Sequence, residues 1–384
     1  MIINTFLCIL FSYFLTYLII PIFKKKSWVS LPNQRTSHRG IVPVGGSLGF
    51  ISIGTISFLL DKEYYIFLFL LLSIIGMADD LKSLDNKLRL FIQIVIGIIS
   101  STLVYKDSIF NFLSFPSYLF FGDIFVITLM TFLFVSIVNF TNFADGLDGL
   151  VSGSMVIIFL FAAYLVNINY IFLVGGLLGF LILNWYPAKV FMGDSGSYFL
   201  GSVYFSCLLQ ANSWNSFLAL LLVGSPLYFD VMICVIRRYF YKQNVFKAHK
   251  LNLYQRLNQS GLNHWQVSLI YISSKILIGL SFVLGNIYCM LFTTLMILGV
   301  GLYLDFYVAI GETNKVQHFK DILSYDLPQA LKILLDKHEC PEAFLRKALD
   351  THTKCSHKRS IVDSDDEPYI ARIKYIREIF IFRQ

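Results

Sequence analysis

From Ile2 onward the chain alternates long apolar runs with short polar breaks. The runs fall at 2–23, 44–61, 64–78, 89–104, 119–139, 149–167, 170–187, 197–212, 216–236, 266–284 and 286–304. Their length and scarcity of charge predict about eleven membrane-spanning helices. The first run has no charge before it and no small-residue cleavage site, so it reads as a retained helix rather than a signal peptide. No fixed-period repeat appears, and none of the inverted-repeat signs of many transporters. From Asp305 the pattern changes: charges become frequent and long apolar runs stop. There Asp326–His338 and Pro341–His352 read as short amphipathic helices, and Ser356–Pro368 as a polar linker.

Composition agrees with the pattern. Of 384 residues 56% are hydrophobic and 14% charged, with a mean hydropathy of +0.67. A soluble chain of this length builds its core with far fewer apolar residues. The expected fold class is an all-α polytopic integral membrane protein. Residues 1–304 form its transmembrane domain, and 305–384 a small cytoplasmic C-terminal appendage of no assigned role. The six cysteines are scattered without a C-x-x-C pair, which speaks against a disulfide framework or a zinc site.

Charge sets the orientation. Fifteen Lys and Arg residues, from Lys24 to Arg256, fall in the breaks on one side, against Lys62 and Lys106 on the other. The rich side is cytoplasmic by the positive-inside rule. An odd number of spans then puts the N-terminus outside and the C-terminus inside. The net charge of +7 is explained by these loops, and no nucleic-acid partner is expected.

Seven of the eleven acids in residues 1–304 lie at that same face: Asp79, Asp80, Asp85, Asp145, Asp148, Asp194 and Asp230. Acids beside bases on one membrane face suit an anionic substrate bridged by a divalent cation, since Mg2+ takes carboxylate and phosphate oxygens. The bland alternative is a row of solvated interfacial acids.

Five stretches carry the candidate chemistry. In GMADDLKSLDNKLRL the adjacent Asp79 and Asp80 point about 100° apart on a helix, so one can bind metal while the other takes a proton. In NFTNFADGLDGL, Asp145 and Asp148 share a face if helical, and their glycines permit close backbone approach; a capped turn is the plain reading. In NWYPAKVFMGDSGS, Asp194 sits on a glycine turn suited to a metal, and Phe191 offers a flat face to a base. RTSHRGIVPVGGSLGF holds a backbone-approach loop in which His38 and Arg39 are phosphate candidates. VFKAHKLNLYQRLNQSGLNHW supplies His249, Lys250, Arg256 and His264, or simply a basic segment for anionic headgroups.

Together, in this order, the motifs resemble those of the polyprenyl-phosphate N-acetylhexosamine-1-phosphate transferases, the MraY/WecA superfamily or glycosyltransferase family four. The resemblance spans about residues 1–304. It implies transfer of a sugar 1-phosphate from a UDP-sugar to undecaprenyl phosphate at the cytoplasmic face of the bacterial inner membrane. Mg2+ is the implied cofactor, with Mn2+ able to replace it, and a homodimer is left open. It implies a base or lipid-phosphate role for Asp79 and Asp80 and metal ligation by Asp194. Phe191 is implied to stack on uracil and Asn184 to contact the nucleotide. Asn142, Asp145 and Asp148 would form the nucleotide and active-site loop, and His249, matching the first histidine of the last cytoplasmic loop, would be catalytic. Asn252 stands where the WbpL-like branch often has a second histidine, and the three-histidine run of MraY is absent. That leans toward O-antigen, capsule or other surface-glycan initiation rather than a UDP-MurNAc-pentapeptide substrate. The competing class is a transporter or lipid flippase for an anionic substrate.

Overall fold

The computed structural model describes residues 1–30, 40–105, 120–240, 243 and 249–308. Contacts divide the chain into two units, 1–313 and 314–384, and every described residue belongs to the first. His38, Arg39 and the stretch 309–384 lie outside the described residues.

In chain order the elements begin with α1 (Ile2–Lys25), the short strands β1 (Val29–Ser30) and β2 (Val42–Pro43), α2 (Leu48–Leu60), α3 (Ile66–Lys82) and α4 (Asn86–Tyr105). They continue with α5 (Phe120–Ala144), α6 (Leu150–Leu165), α7 (Tyr170–Asn184), α8 (Gly193–Leu209) and α9 (Trp214–Phe240). The last are α10 (Leu253–Gln259), α11 (His264–Leu284), α12 (Ile287–Tyr303) and a π-helical turn, Leu304–Val308. β1 and β2 pair antiparallel, with Val29 opposite Pro43.

Each apolar run corresponds to one helix, and α10 is the addition, a short helix inside the link between α9 and α11. Among the described residues α1, α4, α5, α9, α11 and α12 are long and apolar enough to cross a bilayer, while α2, α6 and α7 are shorter apolar helices. The molecule is a mostly helical polytopic membrane protein.

Two boundaries differ from the pattern in a way that matters. α3 continues past residue 78 to Lys82, and α5 past 139 to Ala144, so Asp79, Asp80 and Asn142 are helical. Asp145 and Asp148 are not. They lie in the link 145–149, and the shared helix face expected for them does not exist.

α8 is the centre: every residue from Ser195 to Leu209 is buried. It packs against α3 and α5 most extensively and also touches α2, α4, α6 and α9. A helix covered on all sides can carry small polar residues such as Ser197, Ser202 and Ser206 only if each is satisfied, and the Ser202 hydroxyl donates to the Tyr198 carbonyl at 2.8 Å. At the periphery α1 and α12 present Ile3, Phe6, Phe14, Tyr288, Phe292 and Leu295 outward. An apolar surface of that kind belongs against lipid.

Candidate active site

The site is built where α3 meets the first turn of α8. Gly76 permits the meeting, because a Cβ there would stand 2.7 Å from the carbonyl carbon and oxygen of Asp194. One turn further on, the two adjacent aspartates diverge as helix geometry requires. Asp80 reaches across to α8: its Oδ1 accepts the Asp194 amide N–H at 3.1 Å, and its Oδ2 the Ser195 N–H at 3.5 Å. These donors would otherwise be orphans at the α8 N-terminus, so Asp80 caps that helix from outside. Asp79 turns the other way. Its Oδ1 accepts the Leu84 N–H at 2.6 Å, and its Oδ2 forms an ion pair with Arg89 of α4.

Asp194 joins both. Its Oδ2 lies 3.6 Å from the same Arg89 guanidinium, and its Oδ1 accepts from the Asn142 amide at 2.7 Å. That amide also approaches the Ser197 Oγ at 3.0 Å. Asp79, Asp80, Asp194, Asn142 and Arg89 are thus one group drawn from α3, α4, α5 and α8.

Its charge is unbalanced, with three carboxylates in a group that holds one guanidinium. Burial, and then the carboxylate of Asp80, holds the Asp194 carboxyl well above the usual range. Asp80 is raised too, by surrounding protein and then by Asp79, against the two backbone N–H groups that pull it down. Asp145 is half-buried; burial, then Asp80 and Asp148, push its carboxyl up to about 7. A positive charge brought into this group would relieve all three.

Among the described residues no set of three or more His, Cys, Asp or Glu side chains is arranged to hold a metal ion. Mg2+ does not need one, since it commonly binds one or two carboxylates together with waters and substrate phosphates. The hard oxygens of Asp194, in a neighbourhood short of positive charge, fit that ion. No thiolate lies in the group.

Asp148 and Asn184 have internal partners. Asp148 Oδ1 is 3.2 Å from His264 Nδ1, and its Oδ2 accepts the Ala188 N–H at 3.0 Å. Its carbonyl takes the Ser268 hydroxyl at 2.9 Å, so it ties the 145–149 link to α11 and to the 185–192 link. Asn184 Oδ1 accepts from Ser152 Oγ at 2.7 Å and from the Gly149 N–H at 3.3 Å, while its amide donates to the Val190 carbonyl at 3.0 Å. Gly149 has φ +73°, and a Cβ there would meet Trp185 at 2.6 Å, which is why this turn needs glycine. The glycines of the backbone-approach loop pair with the 185–192 link: Gly45 and Gly46 donate to the Phe191 carbonyl at 3.1 and 2.9 Å, and the Phe191 N–H returns to the Pro43 carbonyl at 2.9 Å. Phe191 is half-buried.

His249 and Arg256 belong to another neighbourhood, at the ends of α9 and α10. His249 Nδ1 accepts the Leu251 N–H at 3.2 Å. Burial, then the nearby Arg238 charge, lowers its pKa to about 4, so it is a neutral imidazole at pH 7. Arg256 is buried, and its guanidinium pairs with Asp305 while Nε donates to the Leu251 carbonyl at 3.1 Å.

Arg89 is the residue whose place the sequence left unread; it appeared only as one more cation of the basic loops. Its link to Asp79 crosses a helix break, which no local spacing rule covers. Asp305 is a second, read as the start of an appendage. A third is Lys275, buried in α11 with no hydrogen-bond partner for Nζ among the described residues.

Fold and site together define a polytopic membrane protein with an acid-rich, phosphate-suited group at the ends of its helices. Comparison with known proteins narrows this. Residues 63–212 match the family model Glycosyl transferase family 4. The chain is 31% identical over 274 residues to the undecaprenyl-phosphate alpha-N-acetylglucosaminyl 1-phosphate transferase of Thermotoga maritima, covering 70% of this chain and 86% of the relative. It is 31% identical over 287 residues to the probable undecaprenyl-phosphate N-acetylglucosaminyl 1-phosphate transferase of Bacillus subtilis, covering 67% and 79%. To the phospho-N-acetylmuramoyl-pentapeptide-transferase of Oceanobacillus iheyensis it is 28% identical over 291 residues, covering 67% and 86%. The chain belongs to glycosyl transferase family 4.

Proposed function

We propose that this protein transfers an N-acetylhexosamine-type sugar 1-phosphate from a UDP-sugar to undecaprenyl phosphate, releasing UMP and leaving a lipid-linked diphospho-sugar. The observation that carries the proposal is the gathering of three carboxylates at the ends of apolar helices: Asp79 and Asp194 share the Arg89 guanidinium, and Asp80 accepts the Asp194 backbone N–H. Carboxylates held short of counter-charge at a lipid boundary suit a reaction that must bring two phosphates together.

Asp194 is the residue to hold Mg2+, which when bound offsets the repulsion between the two phosphates. Asn142 fixes the Asp194 carboxylate through its Oδ1. Asp79 is committed to Arg89, so Asp80 is the better proton acceptor. Its oxygens accept only backbone N–H groups, at 3.1 and 3.5 Å, and general-base work needs a carboxylate not already paired with a cation. It takes the lipid-phosphate proton as a lipid-phosphate oxygen forms its bond to the β-phosphorus and the bond from that phosphorus to the bridging oxygen breaks. Phe191 offers the uracil a ring face. Asp145 lines the approach, and Asp148 and Asn184 hold its shape. His249, neutral, is an acceptor toward the sugar or lipid side, and Arg256 anchors the loop that carries it.

The basic loops support an active site on the cytoplasmic face of the bacterial inner membrane. Asn252 in place of a second histidine supports a surface-glycan pathway, O-antigen or capsule, over peptidoglycan precursor synthesis. One copy of the chain supplies every member of the acid group.

The test is incubation of membranes holding this protein with undecaprenyl phosphate, Mg2+ and a panel of UDP-sugars, with the lipid product identified by mass spectrometry. A diphospho-sugar lipid and UMP are expected from one or more donors. Asp194→Asn is expected to lower turnover at least about a hundred-fold with insertion unchanged. Full activity of that variant in Mg2+ removes Asp194 from the metal site, and a panel without product favours the transport reading.

A further inference from the structure

α10 is seven residues long, too short to persist without tertiary support. Beneath it lies a cavity of about 320 Å3 whose walls include Leu253 and Leu257 of α10, together with Leu304 and Asp305. Leu253, Tyr254 and Leu257 are buried in the apolar core, and polar ties add to that packing in setting the position of the helix.

Four such ties are visible. Asp230 of α9 accepts the Leu253 N–H at 2.6 Å and the Tyr254 N–H at 3.1 Å, capping α10. Tyr254 Oη donates to the Phe143 carbonyl at 2.8 Å. The Asn252 amide donates to that same carbonyl at 3.2 Å. The fourth is Arg256, 2% exposed, against Asp305, 5% exposed. The second oxygen of Asp305 pairs with Arg237 of α9. One carboxylate from the turn after α12 thus holds a guanidinium from each of α9 and α10.

The far side of α10 faces the site. Phe143 directly follows Asn142, and only Ala144 separates it from the link that holds Asp145. A Cβ on Gly146 would lie 2.5 Å from Tyr254 Oη, so the link and α10 move together. The Leu251 carbonyl held by Arg256 belongs to the residue whose N–H donates to His249. A shift of α10 displaces both the 142–149 stretch and His249.

We propose that Asp305 is a positioning residue for the transfer reaction: by bridging Arg237 and Arg256 it seats α10, and through α10 it sets the geometry of the Asn142–Gly149 loop and of His249. The inference rests on the transferase reading above. It assigns chemistry to a residue that the sequence pattern places beyond the membrane domain, and it makes the end of α12 part of the site.

The experiment uses the full chain in lipid nanodiscs, with Asp305→Asn and Asp305→Glu beside wild type. Hydrogen exchange of residues 249–259 needs no substrate and reads the seat of α10. Turnover with the best UDP-sugar reads the site. In Asp305→Asn, exchange across 249–259 is expected to quicken at least about ten-fold while that of 264–284 stays unchanged. Its kcat is expected to fall on the order of a hundred-fold, with the KM for the UDP-sugar within about two-fold and thermal unfolding still cooperative. Asp305→Glu, which keeps the charge one methylene further out, is expected to lose about ten-fold in kcat. Unchanged exchange in Asp305→Asn overturns the seat. Quickened exchange with unchanged kcat overturns the positioning role. If Asp305→Asn fails to insert, wild-type kcat in Asp305→Glu overturns it instead. A wild-type chain that turns over no UDP-sugar overturns the transferase reading and this one with it. In an active chain, variants that keep wild-type exchange or wild-type kcat overturn this one alone.

Discussion

Two neighbouring aspartates in α3 have separate duties because the helix turns about 100° between them. Asp79 is neutralised by Arg89, whereas Asp80 faces backbone N–H groups at the start of α8. The pair therefore cannot be exchanged, and a substitution at one is not a substitution at the other. Asp145 differs again. Burial and neighbouring acids raise its pKa to about 7, above the ordinary value of about 3.9. For a carboxyl shifted upward, ionisation costs more in the folded state than in the unfolded one. Its contribution is therefore most favourable below the unfolded pKa and worsens as pH rises through about 4 to about 7. Asp145→Asn is expected to stabilise the metal-free protein by about 1 kcal/mol at pH 8, discounted for partial exposure, and by almost nothing at pH 4. Thermal unfolding in detergent with a chelator measures both. The acids themselves were legible in the sequence. Their partners were not, since Arg89, the α8 amides and His264 all come from other elements.

At the scale of elements, the position of a helix end decides what a motif can do. α5 runs on to Ala144, which makes Asn142 part of a helix aimed at Asp194 and leaves Asp145 and Asp148 in a link. Periodicity alone stopped α5 at 139, because the polar residues Asn139, Thr141 and Asn142 break the apolar pattern. They are helical nonetheless, since the end of α5 is sheltered: Thr141 hydrogen-bonds the Ile137 carbonyl at 2.7 Å and the Tyr228 hydroxyl at 2.9 Å. The contact of α3 with α8 depends on a missing side chain. A Cβ at Gly76 would press on the Asp194 backbone at 2.7 Å, and backbone cannot yield as a flexible side chain can. Gly76→Ala is expected to destabilise by about 1–3 kcal/mol, the usual cost of overpacking. It is also expected to lower turnover further than the shift in thermal unfolding alone explains, since it moves Asp194 relative to Asp80.

For the whole molecule, the distribution of Lys and Arg between the links predicts one orientation in the membrane. Lys62 and Lys87 are both exposed, at opposite ends of α3 and its neighbouring links. In an otherwise cysteine-free chain, a membrane-impermeant maleimide applied to intact cells is expected to label Lys62→Cys and to leave Lys87→Cys unlabelled until the membrane is opened. The reverse pattern would invert the topology and put the acid group outside. The place of each apolar run along the chain and the acids gathered at the ends of those runs were determined by the sequence itself. Those features depend on composition and on spacing within single segments, which length and hydropathy rules can read. Only the tertiary structure decided that Asp80 caps α8, that Asp148 and Asn184 brace a turn, and that Arg89 serves two acids. It alone brought Asp305 under α10. Each of these is a pairing between segments far apart in the chain, and such a pairing is fixed by how the helices pack around α8, not by any pattern within one of them.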